Sequence, residues 1–377
     1  MNFTELNLIN PLLKALEKNN FTQTTQIQSE ISYYILNNKD VIGISKTGSG
    51  KTFAFLLPFL NNLYLFKKEN EILESKEKDI RFLILAPTRE LAIQIGEELK
   101  IFSNNLNFKY DVIFGGVNQF HQEKSINKGL DILVATPGRL LDLLVKRIVK
   151  LHKLKFIVLD EADKMLDMGF IKEINKVFKH IPQGTQKALF TATMPEEIVL
   201  LTKNILQNPE KIIIKNSKEN KNLVVQKFYS TTEDKKYINL KKILNKNSKK
   251  VIIFTNKKET CGKIFFKLNS NGYNVDYLHK DKSQFARQNT IKAFKNEEFD
   301  ILVATDIVSR GIDIDGIKLV INYDLPRDDE IYVHRIGRTA RAGKRGNSMT
   351  FVLKEDEYKI KNIEKIFGEK FTIEDLI

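Results

Sequence analysis

Eight consecutive residues, Ser45-Lys46-Thr47-Gly48-Ser49-Gly50-Lys51-Thr52, have the composition of a phosphate-cradling turn. Gly48 and Gly50 let the chain bend tightly and aim N–H groups at phosphate oxygens. The helix expected after them adds its positive N-terminal end. Lys51 places a point charge on the β- and γ-phosphates, and the Thr52 hydroxyl is a ligand for Mg2+. Ser45 stands where the usual pattern has Gly, so the bare match is loose, and a plain Gly-Ser turn followed by Lys is the competing reading. A second segment, Phe156-Ile157-Val158-Leu159, reads as a buried strand that delivers Asp160, Glu161 and Asp163 to its carboxyl end. Open α/β sheets bind their ligands at such ends. There Asp160 would hold Mg2+ through water, and Glu161 would orient and deprotonate an attacking water. Asp163 is better placed for signalling between sites than for metal. An acidic cluster is otherwise ordinary solvated surface. Cradle, metal partner and base, in this order, predict an ATPase.

Such groups need a parallel sheet to hold them, and the chain has the pattern. Strands are predicted at Val41–Ile44, Phe82–Ala86, Asp111–Phe114, Ile132–Ala135, Phe156–Asp160, Lys187–Phe190 and Lys211–Ile214. The pattern restarts at Val224–Tyr229, Val251–Phe254, Asn274–Leu278, Ile301–Ala304, Leu319–Asn322 and Ser348–Val352. Amphipathic segments lie between most of them, which argues for two mostly parallel sheets flanked by helices. The opening helix is expected to use Asn10 as cap and Pro11 as its first residue. Residues 215–222 are polar and aperiodic and read as a short flexible linker between domains at 1–214 and 223–377. Lys67 to Asp79 reads as a surface loop, and Tyr358–Phe367 as a last helix. Ile132-Leu133-Val134-Ala135-Thr136 echoes Ile301-Leu302-Val303-Ala304-Thr305, which fits either duplicated architecture or ordinary strand-end chemistry.

Composition bounds the rest. The chain has 377 residues, 61 Lys and Arg against 47 Asp and Glu, and a formal net charge of +14. A basic balance favours a polyanion such as nucleic acid, although a Lys- and Asn-rich surface bias gives the same count. The single Cys261 excludes an intrachain disulfide and fits a reducing compartment, where it reads as a small core residue. His121, His152, His180 and His279 show no metal-ligand spacing. No export or membrane-spanning run is visible, so a cytoplasmic protein with no membrane partner is expected.

Asp160-Glu161-Ala162-Asp163 is the signature of the DEAD-box ATP-dependent RNA helicases, and the chain resembles that family over about residues 1 to 355. The resemblance implies two tandem RecA-like domains. Phe21 to Gln28 resembles the family's adenine-reading segment, with Gln28 on the adenine edge and the upstream Phe3 stacking on the base. Ser45, Thr47 and Ser49 belong to the matching phosphate loop. Pro87-Thr88-Arg89-Glu90-Leu91, Gly115-Gly116 and Thr136-Pro137-Gly138-Arg139 resemble RNA-contacting segments, implying roles for Thr88, Arg89, Gly116, Thr136 and Arg139. Thr191-Ala192-Thr193 stands where the family has Ser-Ala-Thr; with Asp163, this implies that Thr191 and Thr193 couple hydrolysis to unwinding. In the second half the match implies RNA contacts from Arg287, Thr305 and Arg310, and nucleotide contacts from Gly311 and Asp313. It also implies arginine fingers at Arg338 and Arg341, and a bridge from His334 to the acidic strand end.

These implications add up to an enzyme that needs ATP and Mg2+. Closure of its two domains would complete the ATP site and bend single-stranded RNA, melting a few base pairs of a short duplex or remodelling an RNA–protein complex. Contacts to sugar and phosphate imply little sequence preference. An ATP-gated RNA clamp, serving as an assembly platform, would use the same residues. A DNA translocase is a weaker third reading. No basic tail follows Arg341, so the sequence resembles the family's short bacterial members, including the RhlE-like group, or a chain trimmed of its tail. A monomer that takes its targeting from protein partners is the expectation.

Overall fold

The computed structural model describes residues 1–45, 48–72, 79–214, 224–244, 248–279, 281–306, 316–339 and 346–375. Thr47, Arg310, Gly311, Asp313, Arg341 and the proposed linker 215–222 lie outside the described residues. The chain divides into two compact units, Met1–Lys215 and Asn216–Ile377.

In the first unit the strands are β1 (Val41–Ile44), β2 (Phe82–Leu85), β3 (Tyr110–Ile113), β4 (Ile132–Ala135), β5 (Phe156–Leu159), β6 (Gln186–Thr191) and β7 (Glu210–Ile213). Helices α1 (Asn10–Lys18) and α2 (Gln26–Leu36) come before β1, and α3 (Lys51–Glu69) and α4 (Arg89–Leu106) follow β1 and β2. Then α5 (Gln119–Asn127) follows β3, and α6 (Pro137–Val145) follows β4. Two helices, α7 (Ala162–Asp167) and α8 (Ile171–Phe178), follow β5, and α9 (Glu196–Ile205) follows β6. Among the described residues the strands form one sheet in the order β3-β4-β2-β5-β6-β1-β7. Every neighbouring pair is parallel.

The second unit holds β8 (Val224–Ser230), β9 (Val251–Phe254), β10 (Val275–Leu278), β11 (Ile301–Ala304), β12 (Leu319–Asn322), β13 (Gly346–Val352) and β14 (Ile373–Asp375). Its helices are α10 (Lys236–Ile243), α11 (Lys258–Ser270), α12 (Gln284–Lys295), α13 (Asp329–Ile336) and α14 (Glu357–Phe367). The sheet order is β10-β11-β9-β12-β13-β8-β14, again parallel throughout. Each strand of the second sheet occupies the place of the strand seven numbers earlier in the first. The echo between Ile132–Ala135 and Ile301–Ala304 therefore marks duplicated architecture, since β4 and β11 hold the same place.

Period-two alternation in buried strands explains why both faces of each sheet are covered. Phe82 and Ile84 enter the core cluster on one face, and Leu83 and Leu85 enter the cluster on the other. In the second unit Val251 and Ile253 pack on one side of β9, while Ile252 and Phe254 pack on the opposite side. Cys261 of α11 is buried, its sulfur 3.4 Å from the Val303 carbonyl oxygen.

Some expectations need correcting. The first helix starts one residue early, with Ile9 in the capping position. Lys67, expected in a surface loop, lies in the last turn of α3 and is buried, its ammonium 2.6 Å from the Asp131 carboxylate. The long aliphatic stem of a lysine can bury where its charge finds a partner, and Asp131 sits far away in sequence. The edge strand β14 was not foreseen, because Ile373-Glu374-Asp375 is short, exposed and mostly acidic.

Candidate nucleotide and RNA sites

The phosphate loop joins the carboxyl end of β1 to α3. β1 lies between β6 and β7, and Ser45 continues its ladder by donating its N–H to the Thr191 carbonyl at 3.1 Å. Gly50 caps α3 with φ of +89°, a left-handed conformation that a side chain resists. A Cβ there would also lie 2.5 Å from Nε2 of Gln28. Gln28 explains the crowding. Its Oε1 accepts from the Thr25 N–H at 2.8 Å, and its Nε2 donates to the Gly50 carbonyl at 3.1 Å. The residue expected to read adenine is thus hydrogen-bonded to the loop expected to hold phosphate. Lys51 folds back so that its ammonium donates to the Ser45 carbonyl at 2.9 Å, and the hydroxyls of Ser45 and Ser49 are 2.8 Å apart.

The two aromatic residues expected around the base differ. Phe21 is 38% exposed, its ring edge-on to Phe53 with centroids 5.0 Å apart. Phe3 is only 4% exposed and belongs to the core cluster under α1 and α2. It shares that cluster with Leu and Ile side chains, so its ring presents no open face in this structure.

Beside the loop, β5 ends where Asp160 donates its N–H to the Leu85 carbonyl at 2.9 Å. Asp160 and Glu161 are 3% and 5% exposed. Burial, reinforced by the neighbouring Glu161, pushes the Asp160 carboxyl up to about 7, against the attraction of Lys51 and Lys164. For Glu161 burial also raises the value, but the ammonium groups of Lys164 and then Lys51 outweigh it and hold the carboxyl below its ordinary range. Lys164 donates to Glu161 Oε1 at 2.8 Å. Glu161 adopts φ of +55° at the start of α7, a conformation that costs a non-glycine residue about 1–3 kcal/mol and is common where function dictates geometry. Asp160 Oδ1 and Glu161 Oε2 are buried and lack hydrogen-bond partners. Two acceptor-only oxygens left bare beside a lysine suit a hard cation and its water, so the residues fit Mg2+.

Asp163 points to the next strand. Its Oδ2 accepts from the N–H groups of Ala192 and Thr193, both at 3.0 Å, and from the Thr193 hydroxyl at 3.2 Å. Thr191 donates its hydroxyl to the Thr193 carbonyl at 2.7 Å. The acidic strand end and the Thr191-Ala192-Thr193 turn are therefore one hydrogen-bonded unit. Reading the sequence missed two members of this site. Lys164 was legible as a cation three residues after Glu161. Glu98 of α4 had no local signal: burial, with repulsion from Asp160, pushes it up to about 7, against hydrogen bonds from Gln94 and Thr52.

The residues expected to touch RNA in the first unit form a second cluster. Thr88 caps α4, its hydroxyl oxygen accepting from the Leu91 N–H at 3.2 Å. Arg139 donates through Nε to the Phe114 carbonyl at 3.2 Å and through its two terminal nitrogens to Gln119 Oε1 at 3.1 Å and the Val117 carbonyl at 2.9 Å. It laces the loop 114–119 to α6. Gly116 has φ of +78°, and a Cβ there would collide with the Arg89 guanidinium. Thr136 is buried at the start of α6.

In the second unit Arg287 is buried in the second turn of α12, and Thr305 follows β11, its N–H donating to the Leu278 carbonyl at 3.1 Å. His334 lies on α13, and Arg338 in the turn after it, with Nε 3.4 Å from the His334 carbonyl. Between them Arg335, to which the sequence assigned no role, is fully buried. It donates to Asp306 Oδ1 at 2.6 Å, Asn256 Oδ1 at 2.8 Å and the Asp324 carbonyl at 2.7 Å, over the Phe254 ring. It anchors the segment that carries Arg338 to the carboxyl ends of β9, β11 and β12.

A phosphate loop, bare carboxylates at the end of a strand one place removed in the same sheet, and a duplicated parallel sheet define a nucleotide-hydrolysing protein of the two-unit RecA-like class. Residues 25–201 match the model of the DEAD/DEAH box helicase family, and residues 235–343 match that of the helicase conserved C-terminal domain. The chain is 39% identical over 367 residues to the ATP-dependent RNA helicase CshA of Limosilactobacillus reuteri, covering 97% of this chain and 72% of that one. It is 40% identical over 353 residues to the DEAD-box ATP-dependent RNA helicase RhpA of Helicobacter pylori, covering 93% and 69%. Among solved structures, S. cerevisiae Dbp5 bound to RNA and ADP BeF3 matches with a TM-score of 0.84 at 29% identity, covering 100% of this chain and 95% of that one. The DEAD-box helicase Mss116 bound to ssRNA and UDP-BeF matches with a TM-score of 0.86 at 27% identity, covering 99% and 79%. The chain belongs to the DEAD-box ATP-dependent RNA helicases.

Proposed function

We propose that this protein binds single-stranded RNA and hydrolyses ATP to ADP and phosphate, separating short RNA duplexes or remodelling RNA–protein complexes as it does so. The observation that carries the chemistry is the pair of buried, partnerless oxygens of Asp160 and Glu161 next to Lys51. Mg2+, held by Asp160 through water and by the Thr52 hydroxyl, would neutralise phosphate charge there.

The remaining work falls to the chain. The ammonium of Lys51, resting on the Ser45 carbonyl, can turn to a phosphate oxygen over a short path. Glu161 is ionised at neutral pH because Lys164 and Lys51 hold its carboxyl low. It accepts the proton of the attacking water as that oxygen bonds to the terminal phosphorus and the bond to ADP breaks. Arg338 and Arg341 are proposed to stabilise charge on the transferred phosphoryl group. Asp163 carries the state of the acidic strand end to Thr193 through its three hydrogen bonds. RNA is proposed to run along Gly116, Arg89 and Arg139 in one unit and Arg287 and Thr305 in the other, held by sugar and phosphate. The protein is proposed to act as a cytoplasmic monomer with protein partners supplying its targeting.

ATP turnover measured with single-stranded RNA, with DNA of the same sequence and with no nucleic acid tests the reading. RNA should stimulate and DNA should not, and Glu161→Gln should lower the RNA-stimulated rate by about 10²-fold or more. Equal stimulation by DNA would count against RNA as the substrate. RNA held tightly with ATP but without turnover would favour the clamp.

A further inference from the structure

Each unit exposes a phenyl ring at the same structural address. β3 and β10 are the equivalent edge strands of the two sheets, and α5 and α12 are the helices that follow them. Both helices begin with a side-chain cap. Asn118 Oδ1 accepts from the Phe120 N–H at 2.9 Å, and the Ser283 hydroxyl accepts from the Ala286 N–H at 3.2 Å. The second residue of α5 is Phe120, 64% exposed, and the second residue of α12 is Phe285, 74% exposed. A lone exposed Phe needs no explanation, but the same residue at the same place in both halves of a duplicated fold does.

The surroundings say what such rings could meet. Phe120 lies four residues after Gly116, just past the loop tied down by Arg139, and the preceding Gln119 accepts from both Arg139 and Lys146. Phe285 lies two residues before Arg287. Both rings thus sit on helices that begin at the carboxyl ends of their sheets, close in sequence to residues proposed to hold sugar and phosphate. A single strand held by its backbone keeps its bases unpaired, and an exposed aromatic face next to its path binds any base by stacking.

We propose that Phe120 and Phe285 are base-stacking residues, each taking one unpaired base of the single-stranded RNA. The inference rests on the RNA-binding reading above. It predicts that bases contribute to affinity without a sequence code, because every base has a π-face. The rings are exposed, so substitution should leave folding intact.

The test is fluorescence anisotropy with the full chain and a non-hydrolysable ATP analogue, using a labelled single-stranded oligoadenylate RNA and an abasic strand of equal length. The parent protein should bind the adenylate strand more tightly. Phe120→Ala and Phe285→Ala should each weaken that binding by about five-fold or more while leaving the abasic strand unaffected. Phe120→Tyr should restore it, and Phe120→Leu should not. Equal losses on both strands, or none on either, would overturn stacking, and unchanged RNA binding would point the rings at a protein surface instead. Parent protein that binds neither strand would overturn the RNA reading itself, whereas Arg139→Ala weakening both strands alike would leave that reading standing.

Discussion

Asp160, Glu161 and Glu98 show how three carboxyl groups in one site come to differ. All three lose hydration, but Glu161 accepts a hydrogen bond from the Lys164 ammonium and stays below its ordinary value, while the other two rise. Replacing Lys164 with Met should therefore move the acid limb of the ATPase pH profile to higher pH, read from turnover at saturating ATP and RNA. Glu98 supplies a stability test. Its value rises from 4.5 to about 7 in the fold, so the folded protein takes up a proton in that window and is penalised as pH climbs through it. Glu98→Gln should then stabilise the nucleotide-free protein by about 1–3 kcal/mol at pH 8, and the advantage should vanish near pH 4.5. Urea unfolding at both ends of the window checks the sign; a gain independent of pH would refute it. The phosphate loop and acidic strand end were legible because their residues are consecutive. Glu98 and Arg335 were not, because their partners lie on distant elements: Asp160 for one, and Asp306 and Asn256 for the other.

At the scale of elements, the strands were legible to within a residue or two because buried parallel strands are short apolar runs. β14 was not, since an exposed acidic edge strand carries no such run. What sequence could not reveal is how loops brace each other. The turn 114–119 holds its shape through three bonds from Arg139, and Arg89 packs over Gly116. Gly116→Ala adds a methyl group where the guanidinium lies and a side chain where φ is positive. It should cost about 1–2 kcal/mol and weaken RNA binding while leaving ATP affinity unchanged. Calorimetric titration of each ligand would separate the two effects, and parallel losses in both would refute the local reading. The link between Gln28 and Gly50 has a similar lesson: one hydrogen bond ties the start of α2 to the phosphate loop 22 residues away.

For the whole molecule, each unit has core clusters of its own on both sides of its own sheet. Two transitions are therefore expected on heating. ATP analogue with Mg2+, proposed above to bind mainly through residues of the first unit, should raise that unit's transition the more. Calorimetry with and without the analogue is the measurement, and an equal shift of both transitions would contradict the assignment. The buried sulfur of Cys261 has a practical consequence. Burial pushes its thiol up to about 12, and the chain contains no other cysteine. Thiol-directed dyes and spin labels should pass it by near neutral pH. A pair of engineered cysteines, one in each unit, could be labelled without first deleting a native one, turning the protein into its own ruler for testing whether ATP and RNA move the units.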